Sequence, residues 1–166
     1  MMSLRVVALV VVAACASSQT LQVADEARYR GDREAILETV VDTVRASKFE
    51  VTDLDPATGL IVTRDRWYEK DGTYEDKQLA SDRGIIVEDG SILLRYEVRV
   101  RQAGLDYKVE IKPIIAQART GYAMPFKLAP DDLTVPGWVH GKTEKLTLAI
   151  YDALAPHRTN DPTVQR

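Results

Sequence analysis

Between Ser91 and Gln102 apolar and polar residues alternate with a period of two. Ile92, Leu94, Tyr96, Val98 and Val100 fall on one face, and Leu93, Arg95, Glu97, Arg99 and Arg101 on the other. This is the pattern of a strand with one dry and one wet face. Ala103-Gly104 interrupts it, and Tyr107, Val109 and Ile111 then alternate with Asp106, Lys108, Glu110 and Lys112. The two runs read as an antiparallel hairpin, since antiparallel sheets tolerate water on one face. Pro113 is expected to bend or bulge the second strand before Ile114 and Ile115 continue it.

Elsewhere the period lengthens. Within Asp32–Ser47, the residues Ile36, Leu37, Val40 and Val44 form one helical stripe. Gly31 or Asp32 can cap this helix, and Asp32 and Glu34 suit its positive end. A second helix is expected over Lys142–Ala155, with Leu146, Ala149, Ile150 and Ala153 on one face and Pro156 ending it. Between them, Phe49–Asp53 reads as a strand, Asp53–Gly59 as a turn and Gly59–Tyr68 as the returning strand. Residues 69–83 are polar and read as a loop, Gly84–Glu88 as a short strand and Asp89-Gly90 as a tight turn. Leu21–Tyr29 is read as a first strand, against the poor strand propensity of Ala24, Asp25, Glu26 and Ala27.

The fold class expected is α+β, an antiparallel sheet of about four to five strands with two helices packed on one face. The order strand, helix, four strands, helix resembles the helix-grip arrangement of small periplasmic lipoprotein domains and lipid-binding proteins. The resemblance is one of element order, with no residue motif behind it. Without the first strand, a plain two-layer α+β sandwich remains.

Composition narrows the function. The chain has 166 residues, 45% hydrophobic and 28% charged, an ordinary globular balance that excludes collagen-like and wholly disordered classes. A net charge of −3 argues against binding nucleic acid by phosphate neutralisation. One cysteine excludes an internal disulfide framework and a Cys-rich zinc site.

The strongest motif is at the amino terminus. Val6–Ala14 is an unbroken run of nine apolar residues behind Arg5. As a helix it rises about 14 Å against roughly 30 Å of hydrocarbon, so it does not span a bilayer and matches the apolar core of an export signal. It ends in Val12-Ala13-Ala14-Cys15. This resembles the lipobox of bacterial lipoproteins: an aliphatic residue, two small ones, then cysteine. The resemblance implies that the Cys15 thiol takes a diacylglycerol, that residues 1–14 are removed, and that the new amino group is acylated. Residues 15–20 would then be the lipidated cysteine and a tether, 21–156 a single domain, and 157–166 a flexible tail. Ala16 in place of aspartate after the cysteine implies, by the enteric pattern, an outer-membrane location facing the periplasm. Two plainer readings compete: Ala14-Cys15-Ala16 also fits ordinary signal cleavage, and Cys15 is also compatible with a buried helix. Cleavage before Cys15 removes Arg5 and leaves the rest more acidic, so surface attraction to anionic lipid is expected to add nothing.

Catalytic signatures are sparse. His140 and His157 are the only histidines, and no Gly-x-Ser-x-Gly, Gly-x-Gly-x-x-Gly or Walker loop is present. No metal or cofactor is called for. Asp53 and Asp55 flank a turn and lack the further ligands of a calcium loop. The reading is therefore non-enzymatic: an accessory or protein-interaction module of the cell envelope, the alternative being a carrier of an apolar ligand between sheet and last helix.

Two segments are candidate partner or ligand surfaces. One is Arg64–Lys70 with Tyr74, in which Trp67, Tyr68 and Tyr74 are residue types found at binding hot spots. Against that, Trp67 is expected to continue the inward face after Ile61 and Thr63. The other is Tyr122, Met124, Phe126 and Leu128, spaced by two within a Pro-rich connection. It is read as closing one end of the core, with a cavity mouth or a docking surface as alternatives.

Overall fold

The computed structural model describes residues 18–74 and 87–159. Helix α1 occupies residues 18–26, and α2 Arg33–Ala46. The strands follow as β1 Val51–Asp55, β2 Leu60–Thr63, β3 Arg66–Tyr68, β4 Ile92–Ala103, β5 Asp106–Gln117 and β6 Phe126–Leu128. Helix α3 spans Gly137–Ala153, followed by a 3₁₀ turn at Ala155–His157. All pairings are antiparallel, in the order β1-β2-β4-β5-β6, with β3 also beside β4. The fold is α+β, an open antiparallel sheet with helices on one face.

The stripe and cap of α2 behave as the sequence requires. Asp32 caps it, accepting from the Ala35 amide at 3.0 Å, and Ile36, Leu37, Val40, Val41 and Val44 are buried. These pack with the even-numbered face of β4 and with Leu146 and Ile150 of α3 in one core. Gly59 closes the β1–β2 turn at φ +72°, and a Cβ there would stand 2.2 Å from the Val100 carbonyl oxygen. Only glycine permits that approach, across which the Val100 amide donates to the Gly59 carbonyl at 2.9 Å.

Four expectations need correction. First, Leu21–Tyr29 is not a strand: residues 18–26 are helical, and Ala24 and Ala27 are buried at helical spacing. Only Tyr29 joins the sheet, through isolated bridges to Tyr107 and Arg158. The helix-grip order is therefore not met, and the two-layer sandwich describes the chain. For the same reason residues 18–20 are helix, not tether.

Second, Pro113 introduces no bulge into β5. The β4–β5 register runs unbroken from Ile92↔Gln117 to Ala103↔Asp106. The Tyr96 amide donates to Thr63 Oγ1 at 2.9 Å, away from β5, so Tyr96↔Pro113 is a non-hydrogen-bonded pair. The missing Pro113 N–H therefore lies on the outer edge of β5, where no ladder bond is lost.

Third, the returning strand expected over Gly59–Tyr68 is split by Arg64-Asp65 into β2 and β3. Fourth, residues 157–159 are not a tail. The Arg30 amide donates to the His157 carbonyl at 2.7 Å, and the Thr159 amide to the Arg28 carbonyl at 3.0 Å. Residues 160–166, most of the expected loop 69–83 and most of the Gly84–Glu88 strand lie outside the described residues.

Two core tyrosines give the fold a pH limit. Burial pushes Tyr29 and Tyr96 up to about 12 each. Each hydroxyl is then still protonated in the folded chain when the unfolded chain has begun to ionise near pH 10. Stability is thus unaffected below pH 10 and falls between about 10 and 12, by about 1.4 kcal/mol per pH unit per group. Thermal melting across pH 8–12 should show this decline, and Tyr96→Phe should flatten it. An unchanged slope in that variant counts against the assignment.

Candidate functional site

The split between β2 and β3 decides where the aromatic residues point. Ile61 and Thr63 face the core, but after the Arg64-Asp65 break the parity changes. Tyr68 is buried, with its ring 5.1 Å from Trp138 and 5.7 Å from Tyr74. Burial raises its hydroxyl pKa, with Arg66 acting in the opposite sense. Trp67, expected to face inward, takes the opposite face. There it stands beside Leu93 of β4, which stands beside Ala116 of β5, which stands beside Lys127 of β6. A row of three apolar residues, bounded by Lys127 at the β6 edge, thus crosses this end of the open sheet face.

The β5–β6 connection folds up beside this row. The Ala118 amide donates to the Ser91 carbonyl and the Gly90 amide to the Ala118 carbonyl, extending the hairpin ladder by one rung. The Thr120 amide donates to Asp89 Oδ1 at 2.6 Å. That bond is the main reason the Asp89 carboxyl sits below the ordinary carboxylate range, with Lys70 and Arg119 adding to it. Beyond this clamp, Tyr122 and Phe126 meet edge to face at 5.2 Å, and the Arg119 guanidinium lies 4.4 Å from the Phe126 ring centre.

Trp67, Asp89, Arg119, Tyr122, Met124 and Pro125 border an open groove of about 470 Å³. Tyr122, Met124 and Phe126 remain 64%, 77% and 41% exposed. They do not close the core as expected. Three large apolar side chains left in water within five residues form a contiguous patch of the kind that marks an interaction surface.

The structure therefore divides the sequence candidates. Trp67 joins Tyr122 and Met124 across about fifty residues of chain, whereas Tyr68 is core and Phe126, in register with Gln117 and Ile92, belongs to the other face of the sheet at its edge. Tyr74 lies with Phe49, Arg45 and Lys48 in a shallower depression, its ring 5.1 Å from the Arg66 guanidinium. Cys15 lies outside the described residues. Arg119 and Asp89, which shape the groove, were not singled out in the sequence. Asp89 was legible as a turn residue, but its reach to Thr120 is a tertiary fact. Trp138 was also missed: its indole N–H donates to the Lys70 carbonyl at 3.0 Å, and its ring lies against Gly72.

The other chemistry-bearing residues serve the backbone. Asp55 accepts from the Ala57 amide at 2.9 Å and the Thr58 hydroxyl at 2.6 Å, and these turn bonds lower its pKa. Asp132 holds Thr134 in the same way. His140 is exposed, and His157 packs against Gly31. Among the described residues no three His, Cys, Asp or Glu side chains converge as a metal site. Between β4 and α3 the space is filled by Ile92, Leu94, Tyr96, Leu146 and Ile150, all almost fully buried. No helix among the described residues is long and apolar enough to cross a membrane.

This architecture is a two-layer α+β sandwich with a clamped aromatic groove at one end of its open face. No family model matches the chain, and no curated protein sequence matches it.

Proposed function

We propose that this chain is a lipid-anchored protein of the bacterial cell envelope that acts without catalysis, by recognising an envelope protein through the Trp67–Tyr122–Met124 groove. The anchor is Cys15, at the end of Val12-Ala13-Ala14-Cys15, and Ala16 after it supports, by the enteric pattern, an outer-membrane location facing the periplasm. The observation that carries the recognition reading is the exposure of Tyr122 and Met124 beside Trp67, on a loop whose path Asp89 fixes. Aromatic residues on a pre-ordered loop lose little entropy on binding. The filled space between sheet and α3 weighs against the carrier alternative, which needs an enclosed apolar cavity of about 300 Å³ or more. An anchor also confines the protein to two dimensions, so a modest interface suffices to keep a partner engaged.

A photo-crosslinking residue at Met124, in cells expressing the full chain, should trap one discrete envelope protein. The same probe at Leu133, exposed but in the turn before α3, should not. Trp67→Ala together with Tyr122→Ala should cut the adduct by about tenfold or more, the loss expected of hot-spot truncation, while the domain still melts cooperatively. Equal adducts from both probe positions, or an adduct indifferent to the double substitution, would remove the groove from this role.

A further inference from the structure

We propose that the tip of the β4–β5 hairpin is a second membrane contact, seated on the headgroups of anionic lipid; this rests on the reading of Cys15 as the point of lipid attachment. The net charge of −3 is unevenly spread. On the wet face of the hairpin nearest the tip stand Arg99, Arg101 and Lys108, with Asp106 and Glu110 as the carboxylates among them and Asp25 of α1 within electrostatic reach of Lys108. Glu110 pairs with Arg101. Asp106 is committed to Arg30 at 2.7 Å. Arg101 and Lys108 stand directly opposite one another across the ladder. Like charges in that position destabilise a hairpin, an effect that Glu110 offsets at Arg101 and that a bound anion above the pair would offset further.

The tip itself is Gly104-Leu105. Gly104, at φ +71°, takes the first position of a two-residue turn, as a type II′ hairpin requires. Leu105 takes the second and is 88% exposed, and a Cβ on Gly104 would meet nothing within 4 Å. A protruding apolar side chain flanked by cations matches the boundary between headgroup phosphates and acyl chains. The expectation that an acidic domain gains nothing from anionic lipid holds for the average charge and not for this end.

The anchor can deliver the tip. The chain enters the sheet at Tyr29, which pairs with Tyr107, two residues from Leu105. From Cys15 to Tyr29 the chain reaches at most about 35 Å, with α1 contributing about 12 Å and the rest taken as extended. The aromatic groove lies at the other end of β5, about 34 Å from Tyr107 at the rise of an antiparallel strand. A tip seated on lipid therefore holds the groove away from the surface.

Lipidation consumes the sulfur of Cys15, so a cysteine introduced elsewhere in the mature full chain is the only free thiol. Leu105→Cys and Met124→Cys proteins, each carrying an environment-sensitive nitrobenzoxadiazole label, are reconstituted in phosphatidylcholine vesicles with and without phosphatidylglycerol. The label at 105 should rise several-fold in emission and shift to the blue when phosphatidylglycerol is present. High salt, or Arg101→Gln with Lys108→Gln, should abolish that response, and the label at 124 should stay as in water. A label at 105 that reports water in both vesicles overturns the proposal. So does a response equal with and without phosphatidylglycerol, or one larger at 124. Label uptake by the unsubstituted chain instead overturns the Cys15 reading, which separates the two failures.

Discussion

Val98→Asp should leave the protein without a cooperative fold at neutral pH. Val98 is fully buried in the middle of β4, directly between Ile61 of β2 and Ile111 of β5. None of these neighbours offers a hydrogen bond, and the ladder has already taken up the nearby backbone groups. A carboxylate at this position loses its hydration for nothing, at a cost of several kcal/mol. The lost valine packing adds about 1–2 kcal/mol. Together these approach the ~5–15 kcal/mol that holds a domain of this size folded. The sign of the pH dependence is also fixed. A buried aspartate has its folded pKa raised, so what stability survives is greatest below the unfolded value near 3.9 and is lost as pH rises. Circular dichroism and thermal melting across pH 3–8 read both effects. Arg99→Asp, one residue along on the wet face, is the control and should melt nearly as the parent does. A Val98→Asp protein that melts cooperatively within a few degrees of the parent at pH 7 would mean that the two faces of the hairpin are assigned the wrong way round.

Cys15→Ala should move the protein from the detergent phase to the aqueous phase on temperature-induced phase separation. Two or three acyl chains, at about 0.8 kcal/mol per buried methylene, make an anchor that does not exchange on a cellular timescale. Alanine has no nucleophile to accept diacylglycerol, and a nine-residue apolar run is too short to replace the lipid as a span. The mass of the mature parent protein provides the complementary measurement. It should correspond to a chain beginning at Cys15 and carrying diacylglycerol. A variant that stays in the detergent phase, or a parent chain beginning at Ser17, would falsify the anchor.

The parts of this fold legible in the sequence are those where one periodicity acts alone. The β4–β5 hairpin was readable because each strand buries a single face, so Ile92 to Val100 carry an uninterrupted alternation. Helix α2 was readable to within a residue at both ends, because Asp32 and the stripe from Ile36 to Val44 agree. Legibility failed where two signals compete. In residues 21–29, Leu21 and Val23 suggested alternation, but Ala24 and Ala27 settle into the core at helical spacing. Helix α3 begins at Gly137, five residues before the expected start at Lys142, because Pro136 caps it and Val139 is already buried in the first turn. Gly137 and Gly141 hid that start, since glycine weakens a helical reading without forbidding it. The groove was half legible. Tyr122, Met124 and Phe126 stand out by composition, but the meeting of Tyr122 and Met124 with Trp67 depends on the parity change at Arg64-Asp65, which no local pattern announces.

The junction around Tyr29 has a mechanical consequence. Residues 28–30 lie between Tyr107 on one side and His157–Thr159 on the other, so the entering and leaving ends of the chain are stitched to each other and to the longest hairpin. Tension drawn along this segment by a tethered amino terminus loads its bonds in shear. The exchanged Tyr29–Tyr107 pair, Arg30 to His157, Thr159 to Arg28 and the Arg30–Asp106 ion pair must then yield together and not one at a time. On the proposed anchoring, a pull from the membrane reaches the domain at this cross-braced junction, while the aromatic groove lies at the far end of the sheet.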